Sequence, residues 1–192
     1  ALPIYAVDTY IDLADYKSKI NFAYTLYPSA GGTTFTATDF LNKTLPYLTE
    51  RYFKNEDYVK YGNKPVLFVL DIPAAWDKNL TRAANNYLIA QGFAGIELVG
   101  MALEVPLTTF AAAEFKYITN YWTATSREKL LERATNARGA GLEYVAAPGV
   151  GADSRNWSKA KKDGAAYAGI FSTPAQYYAA LQTSKELMDT YT

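Results

Sequence analysis

Lys64-Pro65-Val66-Leu67-Phe68-Val69-Leu70-Asp71 is the stretch on which the fold turns. Val66 to Leu70 is apolar without alternation, the pattern of a strand covered on both faces. Such strands belong to parallel sheets flanked by helices, so the residues on either side should read as helix and strand in turn. Asn63 and Pro65 mark the entry of this strand, and Asp71 with Pro73 marks its exit.

Downstream, the alternation is regular. A helix is predicted over Lys78 to Gln91, closed by Gly92 as a left-handed cap. Phe93 to Val99 reads as the next strand, ending at Gly100, and a short segment compatible with helix follows. Phe115 to Trp122 reads as a strand, after which Thr125 and Glu128 form a capping box for a helix reaching about Arg138. Leu142 to Ala147 is a fifth strand, stopped by Pro148-Gly149. A polar loop, Val150 to Gly169, leads to a last helix with Thr173 as N-cap, Pro174 at the first position and Gln176 closing the box. Upstream, Ile4 to Tyr16 fits a helix and Lys19 to Tyr27 a strand, broken by Pro28 to Gly32. Thr36 and Asp39 then open a helix running to about Phe53, which Pro46 should kink or interrupt.

The resulting order alternates throughout and is read without a hairpin, implying parallel strands joined by right-handed crossovers. The chain of 192 residues is treated as one domain. Five strands suit an open, doubly wound sheet, whereas a complete eight-stranded barrel needs about 250 residues. On pattern alone the open sheet is slightly favoured, with a (β/α) barrel as the other solution.

Composition removes several chemistries. There is no cysteine and no histidine, so disulfides, thiolate catalysis, Ser-His-Asp chemistry and imidazole-ligated zinc are excluded within this sequence. Acid–base work must fall to Asp, Glu, Tyr or Lys. Nineteen basic residues balance nineteen acidic ones, which leaves no electrostatic case for nucleic acid. No apolar run reaches the ~20 residues of a transmembrane segment. No GxGxxG or GxxxxGK[ST] follows a strand, and no cofactor or metal is expected. The 17 tyrosines offer a flat apolar face together with a hydroxyl, which suits half-buried packing and sugar binding alike.

In either architecture the ligand lies beyond the C-terminal ends of the strands. Candidates there are Tyr24, Tyr27, Asp71, Glu97, Glu104, Asn120, Tyr121, Trp122, Asp153 and Arg155. Carboxylates, aromatics and amides are the groups that bind and cleave sugars. Each has a plainer reading. Asp71 can cap the turn after its strand. Glu97 can be a paired buried carboxylate or lie on a solvated edge, Trp122 can be packing, and Asp153 with Arg155 can be a surface pair.

One longer stretch carries a resemblance. Tyr52-Phe53, the acidic-Tyr turn Glu56-Asp57-Tyr58, then Gly62 and Lys64-Pro65 ahead of the apolar strand resemble the glycoside hydrolase family 99-like group, which includes endo-α-mannosidases and WbsX-type polysaccharide biosynthesis proteins. Lys19 to Tyr24, Gln91-Gly92-Phe93 with Gly95, Thr119 to Trp122, and Pro148-Gly149 agree in order. The resemblance implies a (β/α)8 barrel of which this chain holds roughly the third to seventh strands, and so outweighs the open sheet. It implies that Tyr121 and Trp122 occupy a strand-end aromatic position able to stack on a sugar. It sets Asp153 and Arg155 near the acidic and basic residues that follow Pro-Gly, with spacing altered by Val150-Gly151-Ala152.

In this group the catalytic carboxylates lie near the last strand, in a segment of the Trp-Asn-Glu-Trp type, and this sequence contains none. Asp71, Glu97 and Glu104 are then the stand-ins for the acid and base of a retaining reaction. The expected function is that of a glycoside hydrolase-like protein acting on an α-linked, mannan-type glycan, as a core fragment lacking the usual catalytic pair. The alternative is a non-catalytic carbohydrate-binding or cell-envelope module, and a weaker one is an open-sheet protein with an unrelated small-molecule site. The expected partner is a carbohydrate ligand, and oligomeric state is not legible. Sequons at Asn42, Asn79 and Asn156 fit an extracellular or cell-envelope location; no signal peptide is visible in Ala1-Leu2-Pro3, where a leader already removed would leave none.

Overall fold

The computed structural model describes residues 21–28, 34–102, 105–120, 126–147, 151–152, 170–171 and 173–191. The helix expected within Ile4 to Tyr16 lies outside them. The chain divides into two compact units, one of Ala1–Val69 with Pro73–Leu98 and one of Leu70–Ile72 with Val99–Thr192. A single sheet path runs β1-β3-β4-β5-β6, with β2 paired to β3 off the path. A doubly wound sheet contains a point where the strand order reverses. This path follows the chain without a reversal, as successive βα units of a barrel do.

In the first unit, β1 (Tyr24–Leu26) pairs in parallel with β3 (Lys64–Leu70), Tyr24 opposite Leu67 and Leu26 opposite Val69. β3 is the apolar run quoted above, and Val66, Leu67, Val69 and Leu70 are all buried. The stretch before β1 is interrupted, because Phe22 exchanges backbone bonds with Asp57 and Val59 and not with β3. β2 (Lys60–Tyr61) forms a hairpin with β3 through Gly62 and Asn63, whose φ values of 54° and 61° suit a two-residue turn of the primed kind. A reading without hairpins therefore needs correction here: Gly-Asn supplies two left-handed residues as Asn-Gly does.

The helix α1 passes through four segments: α-helical Ala37–Asp39, π-helical Phe40–Thr44, α-helical Leu45–Leu48 and π-helical Thr49–Phe53. Thr36 caps it, accepting from the Asp39 amide at 3.0 Å while its hydroxyl donates to the Asp39 carboxylate. Pro46 does not end the helix. The turn ahead of it is widened, with the Leu45 amide donating to the Phe40 carbonyl five residues back, which accommodates a residue that lacks an N–H. Leu45, Leu48, Tyr52 and Phe53 are buried. α2 (Lys78–Ala90) is capped by Asp77, whose carboxylate accepts from Leu80 at 2.9 Å, and it buries Leu80, Ala84 and Leu88 at helical spacing. Gly92 takes the expected left-handed conformation, φ 91°.

In the second unit, β4 (Glu97–Ala102), β5 (Tyr117–Asn120) and β6 (Glu143–Val145) pair in parallel, Gly100 opposite Ile118 and Ile118 opposite Tyr144. β4 lies about one turn of chain later than the Phe93–Val99 expectation. Gly95, at φ 118°, belongs to the approach, and Gly100 is inside the strand. A Cβ at Gly100 would sit 2.4 Å from Phe110 and 2.6 Å from Ile118, so the glycine marks close packing and not a strand end. α3 (Leu107–Ala112) buries Phe110, which meets Phe115 edge to face at 5.4 Å.

α4 (Arg127–Gly139) is capped by Ser126, one residue after the expected Thr125, through a 3.3 Å bond from the Lys129 amide. β7 (Gly151–Ala152) and β8 (Ile170–Phe171) form a second antiparallel pair. α5 (Pro174–Tyr191) has the full capping box, with the Thr173 amide on Gln176 Oε1 at 2.8 Å and the Gln176 amide on Thr173 Oγ1 at 3.3 Å. Leu130 of α4 and Ala180 of α5 form a buried cluster with Tyr144, Ala146 and Leu187 against it.

Candidate functional site

The C-terminal strand ends belong to Leu26, Leu70, Ala102, Asn120 and Val145. Tyr27 follows the first of these and is 45 % exposed, the degree of exposure a stacking residue needs. Tyr24 opens β1 at the other end. Its ring stacks on Tyr52 at 5.4 Å and its amide donates to the Tyr58 hydroxyl at 3.1 Å, so this half-buried residue packs against the core aromatics of the first unit. Tyr58 in turn donates to the Val66 carbonyl at 2.6 Å, and burial pushes its hydroxyl well above the usual tyrosine range.

Also in the first unit, the loop after β3 carries Trp76. Its indole is buried, lies 5.6 Å from Phe35 in a stacked pair and 4.8 Å from Phe40, and donates to Thr81 at 3.1 Å. Phe35 lies in the connection between β1 and α1, so this aromatic group ties two strand-end connections of the first unit together. Neither Phe35 nor Trp76 stood among the expected site residues. The signal was present in their positions, each immediately ahead of a helix cap, Thr36 and Asp77, in a βα connection.

In the second unit, Asp71 follows β3 directly and is held in a left-handed conformation, φ 44°. Its amide donates to the Met101 carbonyl at 3.0 Å, and its carboxylate accepts from the Val105 amide at 3.3 Å. Asp tolerates this region better than most residues, yet a non-glycine there is uncommon, and strained backbone collects at functional sites. Asn120 ends β5 opposite Ala102. Beside it Thr119 is buried, with its hydroxyl on the Val145 carbonyl at 2.7 Å.

Glu97 stands elsewhere. Because β4 begins at Glu97, the residue lies at the N-terminal end of the strand, not at the C-terminal end where it was expected. There it pairs with Lys64, the first residue of β3, at 3.6 Å. The physical reason is the later start of β4, which exchanges the two ends for this residue. Glu104, Tyr121, Trp122, Asp153 and Arg155 lie outside the described residues.

A separate cavity of about 250 Å³ lies in the second unit, with Ile118 and Tyr144 of the sheet on one side and Arg133 and Asn136 of α4 on the other. Burial pushes the Tyr144 hydroxyl up to about 12. Among the described residues no helix is long and apolar enough to cross a membrane, and no cluster of three or more acidic side chains could hold a metal ion.

No protein-family profile matches the sequence, and no curated protein matches it at a significant level. Solved structures do match in three dimensions. The GH99 endo-α-mannosidase from Bacteroides thetaiotaomicron superposes with a TM-score of 0.60 at 17 % identity, over 91 % of this chain and 53 % of the enzyme. A structure of a GH99 endo-α-mannosidase from the same organism in complex with bis-tris-propane gives 0.60 at 16 %, over 90 % and 55 %. The chain spans about half the length of these structures, and at such identity the likeness is one of fold. The resemblance first seen around Gly62 and Lys64-Pro65 thus has its counterpart in the coordinates: this chain has a GH99-like α/β fold.

Proposed function

We propose that the chain is part of a glycoside hydrolase-like protein that handles an α-linked, mannan-type glycan at the C-terminal ends of its strands. The observation that carries this reading is the GH99-like fold over nine-tenths of the chain. The strained Asp71, placed where such folds bind ligands, supports it. Tyr27 is offered as a stacking residue, and Asn120, Tyr121, Trp122, Asp153 and Arg155 as further sugar contacts. An extracellular or cell-envelope location accords with a glycan partner, and the Asn42 and Asn79 sequons are exposed.

One observation favours binding without turnover. Of the three carboxylates considered for acid–base work, Glu97 is paired to Lys64 at the opposite end of the strands, and Asp71 already accepts a backbone amide. Glycosidases need two carboxyl groups facing one bond. A cell-envelope carbohydrate-binding module would need only the aromatic and amide contacts.

Calorimetric titration with α-linked manno-oligosaccharides, alongside a reducing-end assay on the same solutions, tests both readings. Binding with release of reducing ends supports the hydrolase, and binding alone supports the module. Absence of binding to α-linked mannans, or equal binding to unrelated glycans, removes the proposal. Glu97→Gln should leave binding unchanged.

A further inference from the structure

We propose that Asp71 is a positioning residue of the strand-end face, holding the chain as it leaves β4, and is neither the nucleophile nor the proton donor. The inference rests on the glycan reading for its purpose but on geometry for its substance. Asp71 grips one short span at two points. Its backbone amide donates to Met101, inside β4, at 3.0 Å, and its carboxylate accepts from Val105, just beyond β4, at 3.3 Å. Ala102, next to the first anchor, is the C-terminal residue of β4, the end at which ligands sit in this class of fold.

Three features point to one role. Gripping both Met101 and Val105 requires the backbone to turn sharply on leaving β3, and φ 44° is that turn. Glycine would adopt it at lower cost, so the retention of a side chain there calls for a use of that side chain. The carboxylate is that use: an oxygen on a backbone N–H is a charge-assisted bond. At 9 % exposure the residue offers little surface to a substrate. An acid or nucleophile needs an oxygen directed at the reacting bond, whereas a clamp needs only an acceptor at the right place.

An acceptor is also what asparagine provides. Its amide oxygen can take the Val105 N–H, and asparagine tolerates left-handed backbone at least as well as aspartate. The decisive set is therefore Asp71→Asn, Asp71→Gly and Asp71→Ala, read by amide hydrogen exchange at Val105 and by titration with α-linked manno-oligosaccharide across pH. Asp71→Gly keeps the turn and deletes the carboxylate, so it guards against a misfolded Asp71→Ala.

Exchange at Val105 should rise about tenfold or more in Asp71→Gly and stay within about threefold of the parent in Asp71→Asn. Glycan binding should follow the same order, with the pH profile of Asp71→Asn matching the parent. Unchanged exchange in Asp71→Gly overturns the proposal. So does an Asp71→Asn variant that keeps Val105 protected yet loses activity toward the glycan, because the carboxylate would then be acting on substrate. If the parent binds no glycan at all, the proposed function fails while the exchange result still decides whether Asp71 is the clamp.

Discussion

Placing a methyl group on Gly100 would drive it into atoms that have little room to retreat. The new Cβ would lie 2.4 Å from Phe110 Cδ1, 2.6 Å from Ile118 Cδ1 and 2.7 Å from Phe110 Cε1. Carbon atoms in contact prefer about 3.5–4.0 Å, so each neighbour must give by roughly 1 Å. Phe110 is fully buried and set edge to face against Phe115, and Ile118 is 2 % exposed. Overpacking of this kind costs about 1–3 kcal/mol. Replacing glycine also lowers the entropy of the unfolded chain, which returns about 0.4–1 kcal/mol. Gly100→Ala should therefore destabilise by about 1–2 kcal/mol. With a urea dependence of about 2 kcal/mol/M, the midpoint falls by roughly 0.5–1 M. Gly139→Ala is the matched control: nothing lies within 4 Å of its Cβ, and it closes α4 with helical backbone. Its midpoint should hold or rise. Adding Phe110→Leu to Gly100→Ala should cost less than the sum of the two single changes. An unchanged midpoint in Gly100→Ala would refute the account of why this strand contains a glycine.

Three more outcomes are expected. Tyr58→Phe keeps the ring but removes the hydroxyl between the Val66 carbonyl and the Tyr24 amide, and should cost about 1–3 kcal/mol in urea unfolding. Thr173→Ala removes the side-chain half of the α5 capping box and should cost about 1 kcal/mol, with Thr173→Ser restoring most of it in the same assay. Burial raises the Tyr144 hydroxyl from 10.0 to about 12, so the unfolded chain releases this proton first as pH rises. Its contribution is fully present below pH 10 and is lost as pH climbs toward 12; unfolding followed across that window should show a shallower alkaline loss in Tyr144→Phe.

The parts of the fold that were legible in the sequence are those where local chemistry and tertiary need coincide. The run from Val66 to Leu70 is apolar because the strand is buried on both faces, Thr36 caps α1, and the Thr173–Gln176 box closes as its spacing indicates. Gly92 is left-handed because a helix ends there. What was missed had its cause in packing or in a narrower rule. Gly100 breaks an apolar run by sequence, but its smallness is set by Phe110 and Ile118, which no local pattern reveals. Gly62-Asn63 makes a hairpin between β2 and β3, where the alternation of helix and strand led to none being expected.

The candidate site inherits these errors. The rule that ligands sit at C-terminal strand ends picked out Asp71 and Asn120, and both stand there: Asp71 directly follows β3 and Asn120 closes β5. It misplaced Tyr24 and Glu97, because a strand boundary moved by a few residues carries a side chain from one end of the sheet to the other. The Phe35, Phe40 and Trp76 group escaped notice because its members are far apart in sequence and meet only in the folded unit.

The most direct test of the central claim is where a glycan touches the protein. Backbone amide shifts followed by nuclear magnetic resonance during titration with an α-linked manno-oligosaccharide report this residue by residue. The account predicts that the amides that move include those of Asp71, Val105 and Asn120, at the C-terminal strand ends of the second unit. Shifts centred on Tyr117 and Glu143, at the opposite ends of the same unit's strands, would contradict it, as would the absence of any shift at saturating sugar.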